Sequence, residues 1–170
     1  MAQSKTTAVD ALADTLRSQI VNWSSFYADG DQTGGERRLL SSLLFATSGK
    51  RIRYLSLDID FVSSPRRLEL VAFTSKRIIK LSDHIEADAD SASPENLTIE
   101  VFRRIGLLSV RIVSGQTPTA LNEAGEVAIA PLSVSASYPF ATLDLPLRRS
   151  NHDAQALRVL ASDLIAELDA

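Results

Sequence analysis

Residues 68–81, LELVAFTSKRIIKL, read as two runs with a period of two on either side of Thr74-Ser75. Leu68, Leu70 and Ala72, then Arg77, Ile79 and Leu81, fall on one side of an extended chain, while Glu69, Val71 and Phe73 fall on the other. That period belongs to strands. Thr74 and Ser75 are small hydroxyl residues that suit a tight reversal, and Lys76 with Arg77 suits a solvated strand entry. The stretch therefore predicts an antiparallel hairpin. Similar strand patterns flank it, so a meander is expected around it.

Upstream, Val9, Leu12, Leu16, Ile20, Trp23 and Tyr27 recur at steps of three and four, which predicts a helix over residues 7–28 with one apolar stripe. Gly30, Gly34 and Gly35 then punctuate a polar loop. Residues 36–46 are open between helix and strand, with Leu39, Leu40, Leu43 and Leu44 favouring one helical face. After Lys50 the period changes to two: Leu55, Leu57, Ile59 and Phe61 share a face opposite Ser56, Asp58 and Asp60.

Beyond the central hairpin, residues 83–95 are rich in Asp, Ala and Ser and predict an exposed, mobile loop. Leu97, Ile99 and Val101 alternate, as do Leu108, Val110 and Ile112, with a turn at residues 103–106, so a second hairpin is expected. Another loop spans residues 114–125, a long strand runs from about Val127 to Ala136, and a last edge strand holds Leu143, Leu145 and Leu147. Residues 151–168 predict a closing helix, capped by Ser150 or Asn151, with Leu157, Leu160, Ala161, Leu164, Ile165 and Leu168 on its apolar face. The expected class is α+β: a seven-stranded antiparallel bent sheet or barrel over residues 50–168 with its C-terminal capping helix, and residues 1–46 as a helical extension packed on it within a single domain.

With 170 residues and 45% hydrophobic content the chain is long enough to bury a core. It has no cysteine, which excludes disulfides and thiolate chemistry. No apolar run is long enough to span a membrane and no secretory leader opens the sequence, so a cytoplasmic protein without a transmembrane segment is expected. The net charge of −3 conceals segregation: residues 36–80 carry ten Lys and Arg against four acids, net +6, whereas residues 81–100 carry six acids and no Lys or Arg. A sequence pI near 5.4 argues against a dedicated nucleic-acid binder.

Catalytic signatures are absent. Neither His84 nor His152 has a recognisable spacing to a partner, and there is no nucleophile elbow, phosphate-binding glycine loop or zinc-binding helix motif. Asp58 and Asp60 share one strand face and could hold a cation or share a proton, although alternation alone explains them. No catalytic residue, metal ligand or cofactor is assigned. The informative constellation is basic: Lys50, Arg51, Arg53, Arg66 and Arg67, with Lys76, Arg77 and Lys80 nearby in sequence, sit at strand ends and turns where antiparallel pairing could gather them.

Seven strand candidates followed by one amphipathic helix resemble the pleckstrin-homology-like fold. The phrase Phe73-Thr74-Ser75-Lys76-Arg77-Ile78-Ile79 is similar to one common in bacterial members of that superfamily. The resemblance covers about residues 50–168. It implies a barrel closed at one end by the helix, with an anionic lipid headgroup, a protein partner or self-association at basic residues near the first strand, here Lys50, Arg51, Arg53, Arg66 and Arg67. The expected function is a non-enzymatic binding or assembly module using that basic strand-edge patch. An alternative architecture, similar to the cone-shaped fold of nuclear transport factor 2, would make it a small-ligand-binding protein or enzyme with an enclosed pocket holding Asp58, Asp60 or His84.

Overall fold

The computed structural model describes residues 12–14, 16–17, 35–85, 97–114, 132–147 and 153–169. Residues 12–14 and 16–17 are helical, and α1 follows at Gly35–Thr47. Seven strands come next: β1 (Tyr54–Asp60), β2 (Arg66–Phe73), β3 (Arg77–Ile85), β4 (Thr98–Arg103), β5 (Ser109–Ser114), β6 (Leu132–Tyr138) and β7 (Ala141–Leu145). Helix α2, Ala154–Leu168, closes the order. Residues 36–46 are thus helical, with Leu39, Leu40 and Leu43 buried along one stripe.

The strands form two antiparallel sheets. Sheet A has the order β1-β2-β3-β4 and sheet B the order β5-β6-β7. The central hairpin forms with Leu68, Leu70 and Ala72 on the same side as Ile79 and Leu81, as expected, and its register sets Leu70 opposite Leu81 and Ala72 opposite Ile79. The expected barrel is not closed: no ladder joins the two sheets among the described residues. Nor do β4 and β5 form the second hairpin, since β4 pairs with β3 and β5 with β6. Residues 104–108 instead carry the chain from one sheet to the other. Arg104 anchors that passage, its side chain only 3% exposed, donating from Nη1 to the Thr74 carbonyl and from Nε to Glu167 on α2.

Strands β1–β3 of sheet A bury residues on both faces, and their alternation sorts them. One face carries Leu57 and Ile59, Leu68, Leu70 and Ala72, and Ile79 and Leu81; Leu16 and the leucines of α1 cover it. The other face is apolar at one end only. There Tyr54, Val71, Phe73 and Ile78 pack against Val134, Ala136, Leu143 and Leu145 of sheet B and Leu157, Leu160 and Leu164 of α2. Fully burying one such aliphatic side chain is worth about 1.5–3 kcal/mol, so these two clusters supply the cohesion of the layers.

Helix α2 begins at Asp153, whose carboxylate accepts from the Ala156 amide at 2.9 Å. The cap therefore lies beyond the expected Ser150 or Asn151, which fall outside the described residues. Ile165 and Leu168, expected on the core face, are exposed. The stripe residues Val9, Ile20, Trp23 and Tyr27, most of the acidic stretch 83–95, and the expected strand start at Val127 also lie outside the described residues. Among the described residues no helix is long and apolar enough to cross a membrane.

Candidate docking surface

Antiparallel order places the start of β1, the end of β2, the start of β3 and the end of β4 at one end of sheet A. Helix α1 terminates there too. Its last turn closes through the Ser48 amide donating to the Phe45 carbonyl at 2.9 Å, and Ser48 and Gly49 then take positive φ to turn the chain toward β1. Arg77 secures this exit, its Nη1 donating to the Ala46 carbonyl at 2.7 Å and to the Ser48 hydroxyl at 2.6 Å. A guanidinium at a helix C-terminus satisfies orphan carbonyls and complements the dipole. The hairpin turn beside it is held by Thr74, whose hydroxyl accepts from the Arg77 amide at 2.9 Å and the Lys76 amide at 3.2 Å.

This geometry divides the five basic residues singled out from the sequence. Lys50, Arg51 and Arg53 precede β1 at the α1 end. Arg67 lies opposite Asp60 at the far end of the β1/β2 pair, with Arg66 beyond it. Seven residues of strand separate the two groups, about 20 Å at the usual rise per residue. That exceeds two Debye lengths of about 8 Å, so the five do not act as one patch. The structure instead joins Lys50, Arg51 and Arg53 to Lys76, Arg77, Arg103 and Arg104. Arg77 is opposite Arg103 in the β3/β4 register, and the Arg104 amide donates to the Lys76 carbonyl at 2.9 Å.

Three of these cations are already engaged. Arg53 pairs with Asp163 at 2.7 Å, Arg104 with Glu167 at 2.9 Å, and Arg77 caps α1. Lys50, Arg51, Lys76 and Arg103 are exposed and make no ion pair with another described residue. The sequence signal for Arg103 and Lys76 was present, but only the strand order brings them beside Lys50.

Apolar side chains are exposed at the same end. Phe45, on the last turn of α1, is 87% exposed, and Ile105 and Leu108 in the sheet-to-sheet passage are 65% and 66% exposed. Phe140, in the β6–β7 turn, stacks on Phe102 of β4 with centroids 4.3 Å apart and planes 3° from parallel, which fixes that turn against sheet A. Between α1 and β4 runs a groove of about 830 Å³ lined by Phe45, Ala46, Ile99, Val101 and Phe102, with Arg77 and Arg103 at its basic end.

The residues proposed for enclosed ligand chemistry lie elsewhere. Asp60 accepts from the Val62 and Ser63 amides and the Ser63 hydroxyl, so it caps the β1–β2 turn; these hydrogen bonds hold its carboxyl below the usual range. His84 belongs to β3 rather than to a loop, opposite Arg67. A separate cleft of about 330 Å³ lies between sheet A and β7, lined by Glu69, Lys80, Ser82, Thr98, Glu100 and Asp144 among others. Asp58, Asp60 and His84 do not line it. Among the described residues no cluster of three or more His, Asp or Glu side chains is placed to hold a metal ion.

No family model matches this sequence, and neither a curated protein nor a solved structure matches it.

Proposed function

We propose that this protein is a non-enzymatic docking module that engages an acidic protein partner through the α1/β4 end of sheet A. The observation that carries this reading is the coincidence, on one end of the molecule, of exposed Phe45, Ile105 and Leu108 with four cations that no described residue neutralises. Large apolar side chains grouped at a surface mark interaction sites, and a rim of one charge sign steers a partner of the opposite sign. An anionic lipid surface shares that charge logic. A flat bilayer, however, leaves a groove of about 830 Å³ unfilled, whereas a protein segment fills it. The order of a four-stranded and a three-stranded antiparallel sheet with α2 packed on β5, β6 and β1 supports a likeness to the pleckstrin-homology-like fold, in an open rather than a closed form.

Capture from native lysate by the tagged full chain tests the proposal. Wild type should retain an acidic protein that elutes as salt rises, and Lys50→Glu, Lys76→Glu, Arg103→Glu together should lose it. Charge reversal at Arg66 and Arg67, at the other end of the sheet, should not. If the triple variant captures the same proteins as wild type, or anionic vesicles displace the partner, the reading fails.

A further inference from the structure

We infer that the groove between α1 and β4 receives an extended acidic segment of the partner as a fifth strand of sheet A. This rests on the docking reading above and names what docks. β4 is the last strand of its sheet, and no described strand pairs with its outer edge. An edge strand directs alternate backbone N–H and C=O groups away from its sheet, ready to pair with another chain. Natural edges are commonly blunted by proline, charged side chains or a bulge. β4 has no proline, its charges are Glu100, on the face away from α1, and Arg103 at its end, and its six residues pair with β3 in unbroken register from Thr98 to Arg103.

The side chains along that edge specify the occupant. Ile99, Val101 and Arg103 point to the face that α1 covers, because they lie opposite Leu81, Ile79 and Arg77. A strand added beside β4 would place every second residue next to Ile99, Val101 and Arg103 in turn, beneath the exposed ring of Phe45. Apolar residues suit the first two positions and a carboxylate suits the third, since directly opposed residues of adjacent strands interact most strongly. The preferred segment therefore alternates, with two apolar residues and an acid spaced at i, i+2 and i+4. A second copy of this chain is a poor occupant. It would bring another Lys76, Arg77 and Arg103 to a basic edge, and a two-fold pairing centred on Val101 would oppose Ile99 to Arg103.

The test uses the isotope-labelled full chain and a synthetic peptide alternating Val or Ile and Glu with Ser or Thr between them. A permuted peptide of the same composition, without the alternation, is the control. The alternating peptide should bind at least about tenfold more tightly. It should slow hydrogen exchange at the outward-facing amides of residues 98–103 by a similar factor, and Phe45→Glu and Arg103→Glu should each weaken it about tenfold. Phe45 and Arg103 are exposed, so both variants should keep the wild-type melting temperature. Equal binding of the two peptides overturns the inference, as does binding with β4 exchange unchanged. It is also overturned if β4 amides are already protected in a free chain that sediments as a dimer. Should the lysate partner still depend on Lys50, Lys76 and Arg103 while β4 exchange does not respond, the docking surface stands and strand addition fails; if both responses are absent, both fail.

Discussion

Arg104 Nε lies 2.9 Å from Glu167 Oε2, and this one contact ties the passage between the two sheets to the last turns of α2. The guanidinium also sits 6.0 Å from the Phe73 ring centroid and donates to the Thr74 carbonyl. Removing Glu167 leaves a nearly buried cation without its counter-charge. Glu167→Ala should therefore cost about 1.5–3 kcal/mol in urea unfolding, the usual range for a hydrogen bond to a charged group. The double variant with Arg104→Met should cost less than the two single changes added together. Simple additivity would mean that the pair is not coupled.

Tyr54 and Tyr138 make stability fall at high pH. Burial pushes both phenols from 10.0 up to about 12, with Ser56 opposing the shift at Tyr54 and Glu167 adding to it at Tyr138. A raised folded-state pKa means that the neutral form is favoured by folding. Its contribution is whole below pH 10 and is lost as pH rises toward 12. Tyr54→Phe and Tyr138→Phe should each flatten the alkaline limb of a stability-against-pH curve, and Glu167→Gln should bring the Tyr138 tyrosinate absorbance transition to lower pH. An alkaline limb unchanged in both phenylalanine variants would exclude these groups as its source.

Much of the fold was legible because alternation is a local signal. The period of two at residues 68–81 marked the β2/β3 hairpin and its shared face, and the leucine stripe of residues 157–164 marked the covering face of α2. What periodicity does not carry is which strands pair. The sequence patterns at residues 97–101 and 108–112 look like two arms of a hairpin, yet Arg104 anchors the chain between them and sends β5 to a different sheet. The basic site suffered from the same limit. Arg66 is nearer to Arg53 in sequence than Arg103 is, but the full length of β1 intervenes, while Arg103 lies across from Arg77. Asp83 read as a loop acid and is fully buried at the end of β3, 3.6 Å from Arg38 of α1. Only tertiary placement identifies such a pair.

Asp60 supplies an acid-side dependence. Its carboxyl is held low by the hydrogen bonds that close the β1–β2 turn, so its contribution is present above the ordinary carboxylate range and lost as pH falls through the lowered folded value. Asp60→Asn should reduce stability near neutral pH and shrink the acid-induced loss. Nuclear magnetic resonance titration of the Asp60 carboxyl checks the direction; an ordinary pKa there would contradict the turn's role.

Buried and exposed apolar residues on either side of the α1–sheet A packing should respond very differently to truncation. Leu57 is fully buried in the cluster beneath α1, so Leu57→Ala should cost about 2–5 kcal/mol. Phe45→Ser removes a far larger side chain and should change thermal stability by less than about 0.5 kcal/mol, as expected of a surface residue. A large loss at Phe45 would place it in the core rather than at a contact surface.

Phe45 and Val62 are both apolar and exposed, at 87% and 96%, but belong to opposite ends of sheet A. A photo-reactive phenylalanine analogue installed at one position or the other, in otherwise unchanged full chain within native lysate, compares the two ends directly. The docking account predicts a discrete cross-linked partner from position 45 that disappears when Lys76 and Arg103 are reversed to Glu, and none from position 62. Cross-linking of the same partner from position 62, or from position 45 regardless of the charge reversal, would contradict it.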